Sequence, residues 1–188
     1  MKLLLHICCG PCACYPIEVL RAEGHEITGY FYNPNIHPYQ EWQRRRQGVE
    51  ELAASTELPV IFDQNYDIEK YFHDIAYREE RRCFMCYQLR LNQAAHIAQK
   101  GKFDGFTTTL LVSPYQKHEL IKEVGLLAAE RYGVEFVYRD FRPGFKSGQQ
   151  KARGLNLYRQ QYCGCLYSEV ERYAPKNQWP GAARRNSK

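Results

Sequence analysis

Hydrophobic and polar positions along this chain follow two different periods. Short apolar runs predict five β-strands, over Lys2–Ile7, Glu26–Tyr32, Pro59–Phe62, Phe103–Thr108 and Val134–Tyr138. Between the runs, apolar residues recur at intervals of three and four, which is typical of amphipathic helices. These helical segments are Pro16–Glu23, Gln40–Ser55, Ile68–Ala76, Cys86–Gln99 and Gln116–Arg131. Strand–helix alternation with crossovers of this length predicts an α/β fold: a mostly parallel sheet with helices on both faces.

The length of the chain and the composition of its last residues indicate the number and the extent of its domains. A chain of 188 residues is long enough for one hydrophobic core and short for two. After about Tyr173 the sequence turns polar and basic, with Arg184 and Arg185 near its end. We therefore predict one domain over residues 1–174 and a basic, flexible tail over residues 175–188.

Composition and the missing export signals indicate a cellular compartment. No run of about 18 apolar residues occurs, and the apolar start is too short for a signal peptide. We expect a cytoplasmic protein without a membrane partner. In a reducing compartment, clustered cysteines are more often metal ligands or redox centres than structural disulfides.

The eight cysteines fall into three groups. The first is Cys8, Cys9, Cys12 and Cys14, the second is Cys83 and Cys86, and the third is Cys163 and Cys165. The first group follows the first predicted strand, at the sheet edge where parallel α/β proteins bind ligands. A turn predicted at Gly10 and Pro11 would let Cys8 and Cys9 share one side. The second pair stands i, i+3 at a predicted helix start, which puts both sulfurs on one side and favours thiolate.

Four thiolates from separate segments form an all-sulfur site that suits an iron–sulfur cluster or zinc. The Cys-x-x-Cys spacing serves both, although the adjacent Cys8 and Cys9 fit a zinc ribbon poorly. Cys163 and Cys165 are one residue apart and could close only a strained disulfide, the reducible and redox-active kind. The alternative is that these two cysteines are further metal ligands.

Ordered sequence blocks carry a resemblance to a known family. They are HICCGPC from His6, NPNI from Asn33, RCFMCY from Arg82, FTTTLLVSPY from Phe106, DFR from Asp140 and YRQQYCGC from Tyr158. In this order they resemble the cobalamin-independent epoxyqueuosine reductases (QueH). The resemblance implies an adenine-nucleotide α-hydrolase-like (HUP-type) fold and reduction of the epoxide of epoxyqueuosine in tRNA to give queuosine, the last step of queuosine biosynthesis. The Ser-Gly-Gly-x-Asp-Ser loop of ATP-using relatives is absent, so we expect no ATP use.

The same resemblance implies roles for individual cysteines. Cys8, Cys9, Cys83 and Cys86 would hold a [4Fe-4S] cluster, and Cys163 with Cys165 would be a redox-active catalytic pair. An additional iron or other metal ion would lie adjacent to the cluster, and Cys12 is the candidate ligand for it. Cys14 matches no motif, and we interpret it as a buried, inert thiol.

Partners and proton donors follow from the same blocks. The implied partners are the tRNA anticodon loop and an electron donor. The net charge of +5 is compatible with RNA. Candidate phosphate contacts are Arg44–Arg46, Arg81–Arg82 and Arg184–Arg185, and the alternative is that each is a solvated helix face. Candidate proton donors are His6, Tyr115 and Asp140, with the alternatives of a hydrogen-bonded strand histidine, a packing residue and an ion-pair partner of Arg142.

Two functions of other classes remain open at this point. One is a zinc-stabilised RNA-binding module without redox activity. The other is a thiol–disulfide oxidoreductase that uses Cys163 and Cys165 on protein substrates. Metal content separates the first from a reductase, because a [4Fe-4S] protein is brown and a zinc protein is colourless.

Overall fold

The structure, a computed structural model, describes residues 1–175 and contains one five-stranded parallel sheet. The strands are β1 (Lys2–His6), β2 (Glu26–Phe31), β3 (Val60–Phe62), β4 (Gly105–Thr108) and β5 (Glu135–Phe136). Their order is β3-β2-β1-β4-β5, and every pairing is parallel. β1 is central because Leu3, Leu4 and Leu5 are fully buried, as a strand covered on both faces requires. The predicted α/β fold is confirmed.

Seven α-helices connect and cover the strands within residues 1–175. They are α1 (Gly10–Ala22), α2 (Tyr39–Thr56), α3 (Ile68–Ile75), α4 (Arg82–Lys100), α5 (His118–Tyr132), α6 (Phe145–Gly154) and α7 (Leu166–Tyr173). Helix α1 contacts α2, and α4 contacts α3 and α5. With the right-handed crossovers that parallel strands adopt, these two sets of helices cover opposite faces of the sheet. In this part of the chain no helix combines the length and the apolar character that crossing a bilayer needs. The tail prediction, including Arg184 and Arg185, lies outside the described residues except for Pro175.

The start of α1 differs from the sequence-based prediction. Gly10 and Pro11 do not form a turn but open the helix, with Cys9 as its N-cap. Proline is tolerated there because a first-turn N–H has no partner within a helix. Gly10 is needed for packing, since a Cβ at this position would lie 2.5 Å from the carbonyl oxygen of Gly48 in α2. Cys12 and Cys14 are therefore helical residues.

Helices α6 and α7 are absent from the sequence-based prediction. Helix α6 packs on α1 through small residues, with Gly148 and Ala152 buried. A Cβ at Gly148 would lie 3.3 Å from the Cβ of Tyr15 in α1. Small residues leave no hydrophobic period in the sequence, and α6 was therefore missed.

The strand order reverses between β1 and β4, since the chain builds the sheet outwards in both directions from this pair. Ligands of open α/β sheets bind in the crevice beyond the carboxyl ends of the strands at such a switch point. The residues that leave β1 and β4 meet there: the Cys8 backbone N–H donates to Thr109 Oγ1 at 3.0 Å. The topology thus directs attention to Cys8 and its neighbours.

Candidate metal centre

Three buried thiols meet where β1 passes into α1. The sulfur atoms of Cys8, Cys9 and Cys12 lie within 4.8 Å of one another, and those of Cys8 and Cys9 are 3.8 Å apart. Cys8 follows the strand, Cys9 caps the helix and Cys12 lies in its first turn. Sulfur ligands at this spacing suit a soft metal or an iron–sulfur group.

Mutual hydrogen bonding makes Cys8 the most acidic of the three thiols. Hydrogen bonds from Cys12 and then Cys9 hold the pKa of Cys8 well below its ordinary value, and Thr109 assists. The Thr109 hydroxyl donates to the Cys8 sulfur at 3.3 Å. The pKa of Cys12 is raised by its bond to Cys8, and burial raises the pKa of Cys9. The group therefore stabilises one thiolate, at Cys8, with two thiol donors beside it.

The second pair, Cys83 and Cys86, lies in the first turns of α4. Asn35 donates from Nδ2 to the Cys86 sulfur at 3.1 Å. Burial raises the pKa of both Cys83 and Cys86. Burial thus acts on these two thiols in the opposite direction to the helix N-terminus, which is expected to favour their thiolates.

One buried guanidinium interacts with all three cysteine groups. Arg90 in α4 is 1% exposed, and its Nε donates to Asn35 Oδ1 at 2.6 Å. Burial disfavours its charge, but the sulfurs of Cys86, Cys8 and Cys163 together raise the pKa of Arg90 above its ordinary value. Within residues 1–175 its Nη2 has no hydrogen-bond partner. The charge of Arg90 therefore acts on a sulfur of each of the three groups, and Asn35 links it to Cys86 by hydrogen bonds. Within the described residues, the one group of three closely spaced sulfurs is that of Cys8, Cys9 and Cys12.

The third pair is held through its backbone. Arg45 in α2 donates to the carbonyl of Cys163 at 2.8 Å and to that of Tyr162 at 3.0 Å. The carbonyl of Gly164 accepts from the His37 N–H at 2.8 Å. Three successive carbonyls are thus fixed by hydrogen bonds, and the cysteine side chains are not part of this backbone network.

The two thiols of this pair have different surroundings. Cys163 is exposed, and Gln116 donates from Nε2 to its sulfur at 3.2 Å. Cys165 is half-buried, with its sulfur 3.6 Å from the Ser168 hydroxyl. Both are free thiols. Cys163 is therefore the thiol of the pair that a reagent reaches first.

A cavity of about 830 Å³ opens above these residues, and Cys8, Cys12 and Cys163 line it. Six cationic side chains also line it: Arg45, Arg90, Lys146, Arg153, Arg159 and Arg172. No Asp or Glu contributes to the lining within the described chain. The cavity combines thiols with an excess of positive charge, which suits an anionic substrate.

Known proteins are similar in sequence to this chain over nearly its whole length. A family model described as Epoxyqueuosine reductase QueH matches residues 3–171. A relative of that name from Dehalococcoides mccartyi is 37% identical over 176 residues, 94% of this chain and 97% of the relative. The relative from Thermotoga maritima is 34% identical, covering 90% of this chain and 91% of its own. That from Haemophilus influenzae is 38% identical, covering 89% and 71%. The chain belongs to the epoxyqueuosine reductase QueH family.

The proton-donor candidates of this family member are separated by their surroundings. His6 is buried, with Nδ1 2.8 Å from the Thr108 hydroxyl, and burial lowers the pKa of His6 to about 4. Asp140 accepts two hydrogen bonds from the Arg142 guanidinium, which lower the pKa of Asp140 to about 2. His6 is thus a hydrogen-bonded strand histidine and Asp140 is the ion-pair partner of Arg142, as the alternatives named from the sequence state. Tyr115 is 86% exposed and lines the cavity, so its interpretation as a packing residue is wrong.

Of the five cations proposed from sequence as RNA contacts that lie within the described residues, three pair with carboxylates. Arg45 pairs with Glu41 in the interior, and Arg46 pairs with Glu50. Arg82 pairs with Glu171. Sequence reasoning missed the cavity cations Lys146, Arg153 and Arg159, because their position depends on α6 and on the loop after it.

Cys14 differs from the other cysteines of the first group. Its sulfur bonds to the Gly10 carbonyl at 3.5 Å within α1, and burial raises the pKa of Cys14 to about 11. Cys12, in the first turn of the helix, has its sulfur 3.4 Å from Gln160 Nε2 in the cavity. The donor set available to a metal in this family member is therefore sulfur-rich and buried, and a thiolate-held iron group fits it. Arg90 offsets the negative charge that such a group would bring.

Proposed function

We propose that this protein is an epoxyqueuosine reductase that converts epoxyqueuosine in tRNA to queuosine. The observation that carries the proposal is the cavity at the β1–β4 switch point, where the Cys8, Cys12 and Cys163 thiols lie among cationic side chains. Membership of the QueH family over residues 3–171 supports the same substrate.

The cofactor we propose is a [4Fe-4S] cluster bound by Cys8, Cys9, Cys83 and Cys86. Support comes from the closeness of the Cys8 and Cys9 sulfurs and from the i, i+3 spacing of the second pair in α4. The charge of Arg90 acts on Cys8 and Cys86 together, which supports a shared site. Cys12, in contact with the first two sulfurs and with the cavity, is the proposed ligand of a second metal ion, iron or another.

Removal of the epoxide oxygen as water requires two electrons and two protons. The cluster, when bound, supplies single-electron transfer. Oxidation of the Cys163 and Cys165 thiols to a disulfide releases two electrons and two protons, which balances one turnover. An external electron donor then returns the disulfide to two thiols. Arg45 and His37 hold the backbone carbonyls of Cys163 and Gly164, which fixes the position of the segment that carries both thiols.

The test begins with anaerobic purification and measurement of iron, sulfide and zinc. We expect iron and sulfide in the wild-type protein, and loss of both when Cys8, Cys9, Cys83 or Cys86 is changed to Ala. Cys14→Ala is the matched control, because Cys14 is buried beside the same group but bonds only within α1. Zinc in place of iron would reject the cluster and favour the RNA-binding module.

The activity assay gives iron-loaded protein, with a one-electron reductant, tRNA that carries epoxyqueuosine. Queuosine is then measured by mass after digestion of the tRNA. No conversion by protein with an intact cluster would reject the substrate assignment. Cys163→Ala and Cys165→Ala should keep their iron and lose multiple turnover, whereas loss of iron would make these cysteines ligands.

A further inference from the structure

Helix α6 turns one continuous face towards the cavity. The lining residues on it are Phe145, Lys146, Gln149, Gln150 and Arg153. Their spacing places them on one side of a helix, and the small residues Gly148 and Ala152 lie on the side that packs against α1. The helix therefore presents an aromatic, amide and cationic surface at the mouth of the site. We call these five residues the α6 face.

Four cations around the mouth have no partner among the described residues. They are Lys146, Arg153, Arg159 and Arg172. Among residues 1–175 none of their side chains has a hydrogen bond or ion pair, in contrast to the paired Arg45 and Arg46. No carboxylate lies in the same part of the described lining. Unpaired positive charge beside a cavity attracts an anion, and the spread of four charges suits several phosphates better than one.

An exposed aromatic ring lines the same cavity and contacts the α6 face. Tyr115 is 86% exposed and lies in the loop after the 3-10 helix Thr109–Val112. Its ring meets Phe145 edge-on, with the ring centres 6.0 Å apart at 83°. The face of an exposed aromatic ring is a surface on which a nucleobase stacks.

We propose that Tyr115 and the α6 face bind one nucleotide splayed out of an RNA loop. The base stacks on Tyr115, and Lys146 and Arg153 bind the phosphates that flank it. The assignment rests on the proposed function for the identity of the substrate. It adds the residues that position the target nucleoside beside the cavity thiols.

The size of each effect follows from general measurements. Removing an aromatic ring that stacks one base weakens binding by about 5- to 150-fold. Neutralising a side chain that binds one phosphate flattens the slope of log affinity against log salt by about 0.7 for single-stranded RNA. Loss of stacking lowers affinity and leaves the salt slope unchanged, so the two roles have different signatures.

The experiment measures binding of a fluorescent anticodon stem-loop RNA to the anaerobically isolated full chain over a series of salt concentrations. Tyr115→Ala should weaken binding at least fivefold without changing the salt slope. Tyr115→Phe keeps the ring and should bind the RNA as tightly as the wild type. Lys146→Gln with Arg153→Gln should flatten the slope by about 1.4. Lys151→Gln is the matched control: Lys151 lies on α6 but pairs with Glu18, away from the cavity.

A stem-loop with an abasic site at the target position tests stacking directly. The wild type should bind it more weakly than the intact loop, and Tyr115→Ala should bind both equally. Equal affinity of the wild type for both RNAs, or salt slopes that match in the double variant and Lys151→Gln, would overturn the inference. Queuosine formation measured on the same variants separates the two proposals. Conversion that survives while these binding effects are absent rejects only the α6 surface, and binding effects without conversion reject only the reductase.

Discussion

Two ion pairs on the same helix offer a matched test of what holds the Cys163 segment in place. Both pairs in α2 have i, i+4 spacing: Arg45 with Glu41 and Arg46 with Glu50. The side chains of the first pair are 1% and 6% exposed, and those of the second are 26% and 47% exposed. We expect Arg45→Met to destabilise the protein strongly and Arg46→Met to have little effect.

The magnitudes follow from burial. Removing one partner of a buried ion pair costs about 3–5 kcal/mol, because the other charge is left uncompensated. An exposed helical pair contributes about 0.3–0.5 kcal/mol. Arg45 also satisfies the carbonyls of Cys163 and Tyr162. The double variant Arg45→Met/Glu41→Met should therefore recover the ion-pair part and keep a residual cost of about 1–3 kcal/mol from those carbonyls.

Thermal and urea unfolding measure these differences under anaerobic, reducing conditions. For a chain of this length, 1 kcal/mol corresponds to roughly 2–4 °C, so Arg45→Met should lower Tm by about 6–20 °C and Arg46→Met by at most about 2 °C. Faster alkylation of Cys165 in Arg45→Met at temperatures well below its Tm would show that the segment is released. Equal Tm losses in the two single variants would refute the reasoning, because they would mean that burial does not decide the contribution.

Three further changes test other parts of the structure. Burial lowers the pKa of His37 to about 4. As pH falls from 6.5 to 4, His37 is protonated in the unfolded chain but not in the folded protein, so the free energy of unfolding decreases over that range. His37→Phe should make Tm less steep in pH there, and an unchanged slope would contradict the pKa. Gly125→Ala should cost about 1–3 kcal/mol in urea unfolding, because its Cβ would lie 2.4 Å from the Phe136 ring. Arg90→Gln should lower the midpoint potential of the iron-loaded protein in a redox titration and Arg90→Lys should largely keep it, since net charge near the sulfurs sets that potential.

The sheet could be predicted from the sequence because its signal is local. The strand at β1 is a continuous apolar run, and Leu3, Leu4 and Leu5 are all fully buried. The ends were less accurate: the fifth strand was predicted over Val134–Tyr138, and β5 spans only Glu135–Phe136. Helix α6 could not be predicted in the same way, because glycine and alanine contacts hold it against α1 and produce no apolar period.

The cysteine chemistry of the site could be predicted from the sequence, but the role of the surrounding cationic side chains could not. The three cysteine groups could be recognised from their spacing, and the structure shows Cys8, Cys9 and Cys12 in close contact, with the charge of Arg90 acting on Cys86, Cys8 and Cys163. The cations could not be sorted in advance, since a run such as Arg44–Arg46 does not reveal which members are buried or paired. Only the packing of α2 against the Tyr162–Cys165 segment makes Arg45 a structural residue.

The cavity joins the two ends of the described chain, and this arrangement has a consequence for how the protein is made. Cys8 and Cys12 line it from one end of the chain, and residues between Phe145 and Arg172 line it from the other. Cys163 follows Cys8 by 155 positions (163 less 8). At a synthesis rate of about 5–20 residues per second, roughly 8–30 s separate the two on the ribosome. The first thiols are therefore synthesised many seconds before the residues that cover them.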